Sequence, residues 1–167
     1  MRYIKPFNEA RDNWFNIKAS DVLDFANNSH LVYLLDEGYT IDVRRPSGGP
    51  HDDNDLLSDR SYIRIINLEG TVRSIPKPWN EIKDYFIPFL TRFINHFGLS
   101  NNIEIEMGLV LKPKNPGPFT PVVEPRTFKL DDVLNDKTTM LKINYGNFGA
   151  VLGRTSITEV NWIKIKR

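Results

Sequence analysis

Between Trp79 and Gly98 the chain places Ile82, Phe86, Phe89, Leu90, Phe93, Ile94 and Phe97 mainly three and four residues apart. That spacing lines them along one side of an α-helix. A stripe this rich in phenylalanine is costly in water, so the fold must supply a broad apolar surface to receive it. Pro76 and Pro78 restrict the approach to the helix, and proline is tolerated in a first helical turn. Gly98 ends it. Pro88, in the middle, removes one backbone hydrogen bond and predicts a kink.

The receiving surface is legible as segments of period two. Tyr39, Ile41 and Val43 alternate with Thr40, Asp42 and Arg44, the pattern of a half-buried strand. Ser61 to Leu68 returns to β-rich residues, and the simplest pairing of the two is an antiparallel hairpin. Gly70 turns the chain into a short strand around Val72 to Ile75. Ile103, Ile105, Met107, Leu109 and Leu111 recur at every second position and predict another strand. Met140 to Tyr145 and Ile157 to Ile165 add two more, with Val151 and Leu152 as a further start. Gly146 and Gly149 frame a turn between two such runs. Pro113 to Pro125 holds five of the 11 prolines and reads as an extended surface connection. Ahead of the first strand, Ser20 and Asp21 are N-cap candidates for a helix carrying Val22, Phe25 and Ala26. The apolar run to Leu35 and the stop at Gly38 make this one helix or two. Lys129 to Leu134 predicts a short helix. The sum is an α+β domain: a largely antiparallel sheet with two main helices packed on one face. Residues 1–18 read as an N-terminal arm and 19–167 as one domain.

The 167 residues carry 22 basic and 21 acidic side chains. A chain this near neutrality has no overall field to draw in nucleic acid or membrane, so any such surface must be local. No apolar run is long enough for a membrane span, and the N-terminus lacks the apolar stretch of a secretory signal. The absence of cysteine removes disulfides, thiolate metal sites and thiol nucleophiles. Cytoplasmic location is the expectation.

Several features invite a functional reading. His30, His51 and His96 stand far apart, and none has a second histidine at ligand spacing. Asp52, Asp53, Asp55 and Asp59 crowd one loop, but Ser58 and Arg64 stand where an EF-hand beginning at Asp53 needs Gly and Glu. The loop is therefore expected to be solvated, mobile and without metal. Gly48 and Gly49 follow Arg44 and Arg45 without a phosphate-loop pattern or a following helix. Gly146 and Gly149 enclose Asn147 and Phe148, which bring no positive charge to a phosphate. No hydrolase or metalloprotease motif occurs. Catalytic residues, metal ligands and cofactors are thus expected to be none. At the C-terminus Ile163 and Ile165 alternate with Lys164 and Lys166, giving one apolar and one basic face. A lysine-protected edge strand explains this. The alternative is a nucleic-acid surface made of Arg44, Arg64, Arg73, Lys164, Lys166 and Arg167, which requires those side chains to share a face.

The opening residues, Met1 to Ala10, resemble the short leaders on internal capsid proteins of T4-like bacteriophages. Those leaders end in a hydrophobic-x-Glu cleavage site before a small residue, and Phe7, Asn8, Glu9 and Ala10 match it, with Phe7 where Leu or Ile is usual. The segments Tyr33 to Gly38 and Trp79 to Leu90 resemble small uncharacterised phage proteins. The resemblance implies a phage-encoded protein acting through contacts with a phage or host protein, in the host cytoplasm or the virion. The other reading of the same residues is an arm that packs Tyr3, Ile4 and Phe7 on the domain.

Overall fold

The phenylalanine stripe forms helix α3, Trp79–Phe97, which runs unbroken through Pro88. Pro78 occupies the N-cap, and Gly98 closes the helix with φ at 60°, a left-handed geometry that favours glycine. Phe86, Phe89, Leu90 and Phe93 are fully buried, and Trp79 and Ile82 nearly so. Ile94 and Phe97 are partly buried against the same core. The computed structural model describes residues 13–68, 74–99, 102–113, 122–136, 142–145, 148–151 and 159–167.

The surface that receives α3 is a sheet of β1 (Tyr39–Arg44), β2 (Tyr62–Asn67), β3 (Lys77–Pro78), β4 (Glu104–Pro113), β5 (Val122–Lys129), β6 (Lys142–Tyr145), β7 (Phe148–Val151) and β8 (Glu159–Lys166). The strands run in the order β1-β2-β8-β4-β7-β6, with β3 pairing β8 and β5 pairing β4. All described pairs are antiparallel. β8, last in sequence, lies between β2 and β4. Alternation sends Ile63 and Ile65 of β2, Ile163 and Ile165 of β8, and Ile105, Met107 and Leu109 of β4 to the helical face, where all are buried.

Two helices precede the sheet, α1 (Ala19–Asn27) and α2 (Val32–Asp36). Ser29 breaks them apart: its hydroxyl donates to the Ala26 carbonyl at 2.9 Å and accepts from the Leu31 amide at 3.2 Å, a local alternative to helical pairing. The N-cap is Lys18 rather than Ser20 or Asp21; the Asp21 carboxylate, in the first turn, accepts from the Lys18 amide at 3.2 Å. Phe25 joins the two main helices, with its ring 5.9, 5.7 and 5.6 Å from those of Phe89, Phe93 and Phe97. The chain is thus an α+β domain with α1 and α3 on one face of an antiparallel sheet. A short helix α4 (Leu130–Leu134) follows β5, with Leu130 and Val133 in the core.

Some boundaries differ from expectation. Trp14 and Ile17, assigned to the arm, are buried in the core, and Lys18 forms a bridge with Leu56. Val122 to Pro125, read as loop, opens strand β5, and Val151 ends β7 rather than starting a strand. Of the strand expected around Val72 to Ile75, Val72 and Arg73 lie outside the described residues, and Ser74 and Ile75 are not in a strand. The leader at 1–10 and Gly146 and Asn147 of the expected turn also lie outside, while Phe148 opens β7. The predicted core role of α3 has a direct check. Phe93→Ala should cost about 3–5 kcal/mol, read as a lower urea midpoint with an unchanged slope.

Candidate functional site

The face of the sheet opposite the helices is assembled by register. One row runs Asp42, Arg64, Lys164, Glu106, Thr127 across β1, β2, β8, β4 and β5. The row beside it runs Arg44, Tyr62, Lys166, Glu104, Lys129, and the row on the other side runs Thr40, Ile66, Trp162, Gly108, Pro125. Cross-strand partners project to the same side of a sheet, so these side chains share one face. Arg44, Arg64, Lys164 and Lys166, four of the six basic residues singled out from sequence, are brought together here. Arg73 lies outside the described residues. Arg167 is bonded to Asp59, with its guanidinium 4.6 Å from the Phe15 ring centre, and it lines a cavity with Glu104 and Lys129 at the end of the second row.

Each carboxylate in the middle row serves two cations. Asp42 accepts from Arg44 at 2.8 Å and from Arg64 at 2.7 and 3.2 Å. Glu106 is 3.2 Å from the Lys164 ammonium and also binds Lys166. Burial opposes ionisation of both acids, but the paired cations overcome it and hold both carboxyls below their ordinary values. Partly exposed pairs of this kind contribute only about 0–1 kcal/mol each. Their main effect is to fix side-chain positions. Five basic residues (Arg44, Arg64, Lys129, Lys164, Lys166) meet three acids (Asp42, Glu104, Glu106) across the three rows, so the face is locally positive.

Two aromatic rings lie within this charge pattern. The Lys164 ammonium stands 4.3 Å from the Trp162 ring centre and 4.9 Å from that of Tyr62. Beside Trp162 the β4–β8 register shifts between Gly108 and Leu109, leaving Asn161 as the extra residue of a bulge. The indole rests against Gly108, where a Cβ would meet Cε2 and Nε1 at 2.5 Å. Glycine is needed there for the close approach of the ring. Tyr62 and Trp162 were not singled out from sequence. The signal was available, because each has the same parity along its strand as the basic residue two positions away.

A second constellation has the form of a hydrolase triad. His51 Nε2 is 2.9 Å from Ser61 Oγ, and its Nδ1 is 3.4 Å from Asp55. Ser61 is 1 % exposed, and its oxygen already accepts from the Ser58 amide at 2.8 Å. A nucleophile so enclosed has no room for substrate, so these groups are structural. Arg45 extends the network by binding Asp52 at 3.2 Å and Asp55 at 2.7 Å. The acidic loop is thus organised by a cation of its own sequence, and hydrogen bonds cross-link the segment expected to be a mobile loop. Among the described residues no three His, Asp or Glu side chains converge as metal ligands, and no helix is long and apolar enough to cross a membrane.

No family model, no curated protein and no solved structure matches this chain.

The paired carboxylates set an acid response. A depressed carboxyl contributes stability above its unfolded value, and that contribution is lost as pH falls through the folded value. The unfolded references are 3.8 for Asp42 and 4.5 for Glu106. Urea midpoints should therefore fall on acidification below about pH 5, and fall less steeply in an Asp42→Asn, Glu106→Gln variant. A midpoint that rises on acidification would reverse the sign of this linkage.

Proposed function

We propose that this protein is a binding module whose helix-free sheet face takes a nucleic acid. The observation that carries this reading is the row register, which sets Arg44, Arg64, Lys164 and Lys166 on one face around Tyr62 and Trp162. Phosphates need fixed positive charge, and bases need apolar, π-bearing surface. Both kinds of group stand within a few ångströms of each other, around the Lys164 ammonium. Because Asp42 and Glu106 are each shared by two cations, these clusters retain positive charge for an incoming anion. The near-neutral whole confines attraction to this face.

A protein partner is the second reading, favoured by a separate observation on the helical side. Tyr33 is 56 % exposed and its ring lies 5.6 Å from that of Tyr85. Arg92 stands nearby, 3.5 Å from His30 Nδ1. Tyrosine and arginine grouped at a surface are the residue types that dominate protein contacts. The resemblance of the opening residues makes a phage or host protein the partner in that case, in the virion or the host cytoplasm. Mass spectrometry of purified phage particles tests the virion version, and absence of the chain from them would exclude it.

Salt titration of binding to a short oligonucleotide tests the first reading. Affinity should fall linearly on a log-log plot with salt, and the Lys164→Ala, Lys166→Ala variant should flatten the slope by about two units. Arg167→Ala, which removes a cation already bonded to Asp59 and outside the register of the rows, should flatten the slope less. Salt-independent or undetectable binding would remove the nucleic-acid reading.

A further inference from the structure

The nucleic-acid reading leaves open whether the ligand is a duplex or a single strand, and the Trp162 environment bears on that choice. A duplex offers phosphates and groove edges, while its base faces are stacked inside. A single strand offers the base faces as well. The three tryptophans differ sharply in accessibility: Trp14 and Trp79 are at most 1 % exposed, whereas Trp162 is half-buried on the helix-free face. The Trp162 indole rests against the backbone of β4, since any side chain at Gly108 would strike it. It is therefore a ring held in place before any ligand arrives, with little conformational freedom to lose. Over it stands the Lys164 ammonium, 4.3 Å from the ring centre and tied to Glu106 at 3.2 Å.

We propose that this face selects single-stranded nucleic acid, and that one base stacks on Trp162 in the place of the Lys164 ammonium. Lys164 turns outward to a phosphate, leaving Glu106 to Lys166, its other cation. Arg64 and Arg44 continue the cationic path across β2 and β1, so the strand crosses the rows toward β1. The Tyr62 ring, 4.9 Å from the same ammonium, is uncovered by the same movement and supplies the second apolar surface. The exchange replaces two cation–π contacts by contacts of the strand with Trp162 and Tyr62, and a carboxylate pair by a phosphate pair. This inference rests on the nucleic-acid reading above.

The experiment uses the full chain, a labelled short oligothymidylate, a duplex of the same length and inorganic polyphosphate. The single strand should bind about tenfold or more tightly than either competitor. It should also quench tryptophan emission, and the quench should vanish in Trp162→Phe because the other two indoles are buried. Trp162→Leu should weaken single-strand binding by about tenfold or more, and Trp162→Phe much less. Thermal midpoints of both variants identify any loss that comes from unfolding, and the wild-type quench does not depend on either variant. Equal affinity for single strand and duplex, with no quench and a harmless Trp162→Leu, would overturn the stacking inference while leaving the basic face as a polyanion site. Absence of salt-dependent binding to all three probes would overturn both.

Discussion

The contact between the aromatic stripe of α3 and the aliphatic face of the sheet is the interaction on which the remainder of the structure depends. Phe86, Phe89, Leu90 and Phe93 are withdrawn from water completely. Burial of each such side chain stabilises by about 1.5–3 kcal/mol, larger than the typical worth of any ion pair on the other face. The sheet answers with isoleucines at alternate positions of β2 and β8 and with Ile105, Met107 and Leu109 of β4. Phe25 of α1 then closes against three rings of α3. Because most of this apolar surface is on one side, the opposite side is left mainly to polar and aromatic groups, with Ile66 among them. Its chemistry follows from the alternation that builds the core.

That opposite side shows how a near-neutral protein can hold a local charge bias. Pairing cations and carboxylates one to one would cancel the field. Sharing each carboxylate between two cations cancels half of it and still fixes the long side chains in place. The cost of ordering Arg64, held by Asp42, is met in the folded protein before any ligand binds. The ring of Trp162 is fixed in a different way, by a missing side chain at Gly108 and a bulge at Asn161.

The parts of the fold that were legible in the sequence are those where a single period persists. The α3 stripe and the alternation from Ile103 to Leu109 read directly, as did Tyr39 to Arg44. Strand β5 was hidden because proline density suggested loop. Pro125 fits a strand that pairs only with β4 among the described strands, since proline within sheets is confined largely to edges. The burial of Ile17 was also obscured, since it belongs to no repeat. For the candidate site, composition argued against a charged surface because it averages over the chain. Register decides which side chains meet, and register is a property of strand pairing that one sequence does not display. The His51–Ser61 contact, across ten residues, was out of reach for the same reason.

The position of β8 carries a consequence for the newly made chain. Residues 159–166 lie between β2 and β4, so the two halves of the sheet have no common neighbour until that segment is available. During synthesis, α3 and β4 emerge from the ribosome long before the strand that joins β4 to β2. The aromatic stripe of α3 therefore precedes part of its receiving surface by the whole stretch from Phe97 to Glu159, and long-range closure of the sheet waits for β8. Pairing of β8 with β2 thus closes a long loop of chain, the kind of contact whose entropic cost slows folding.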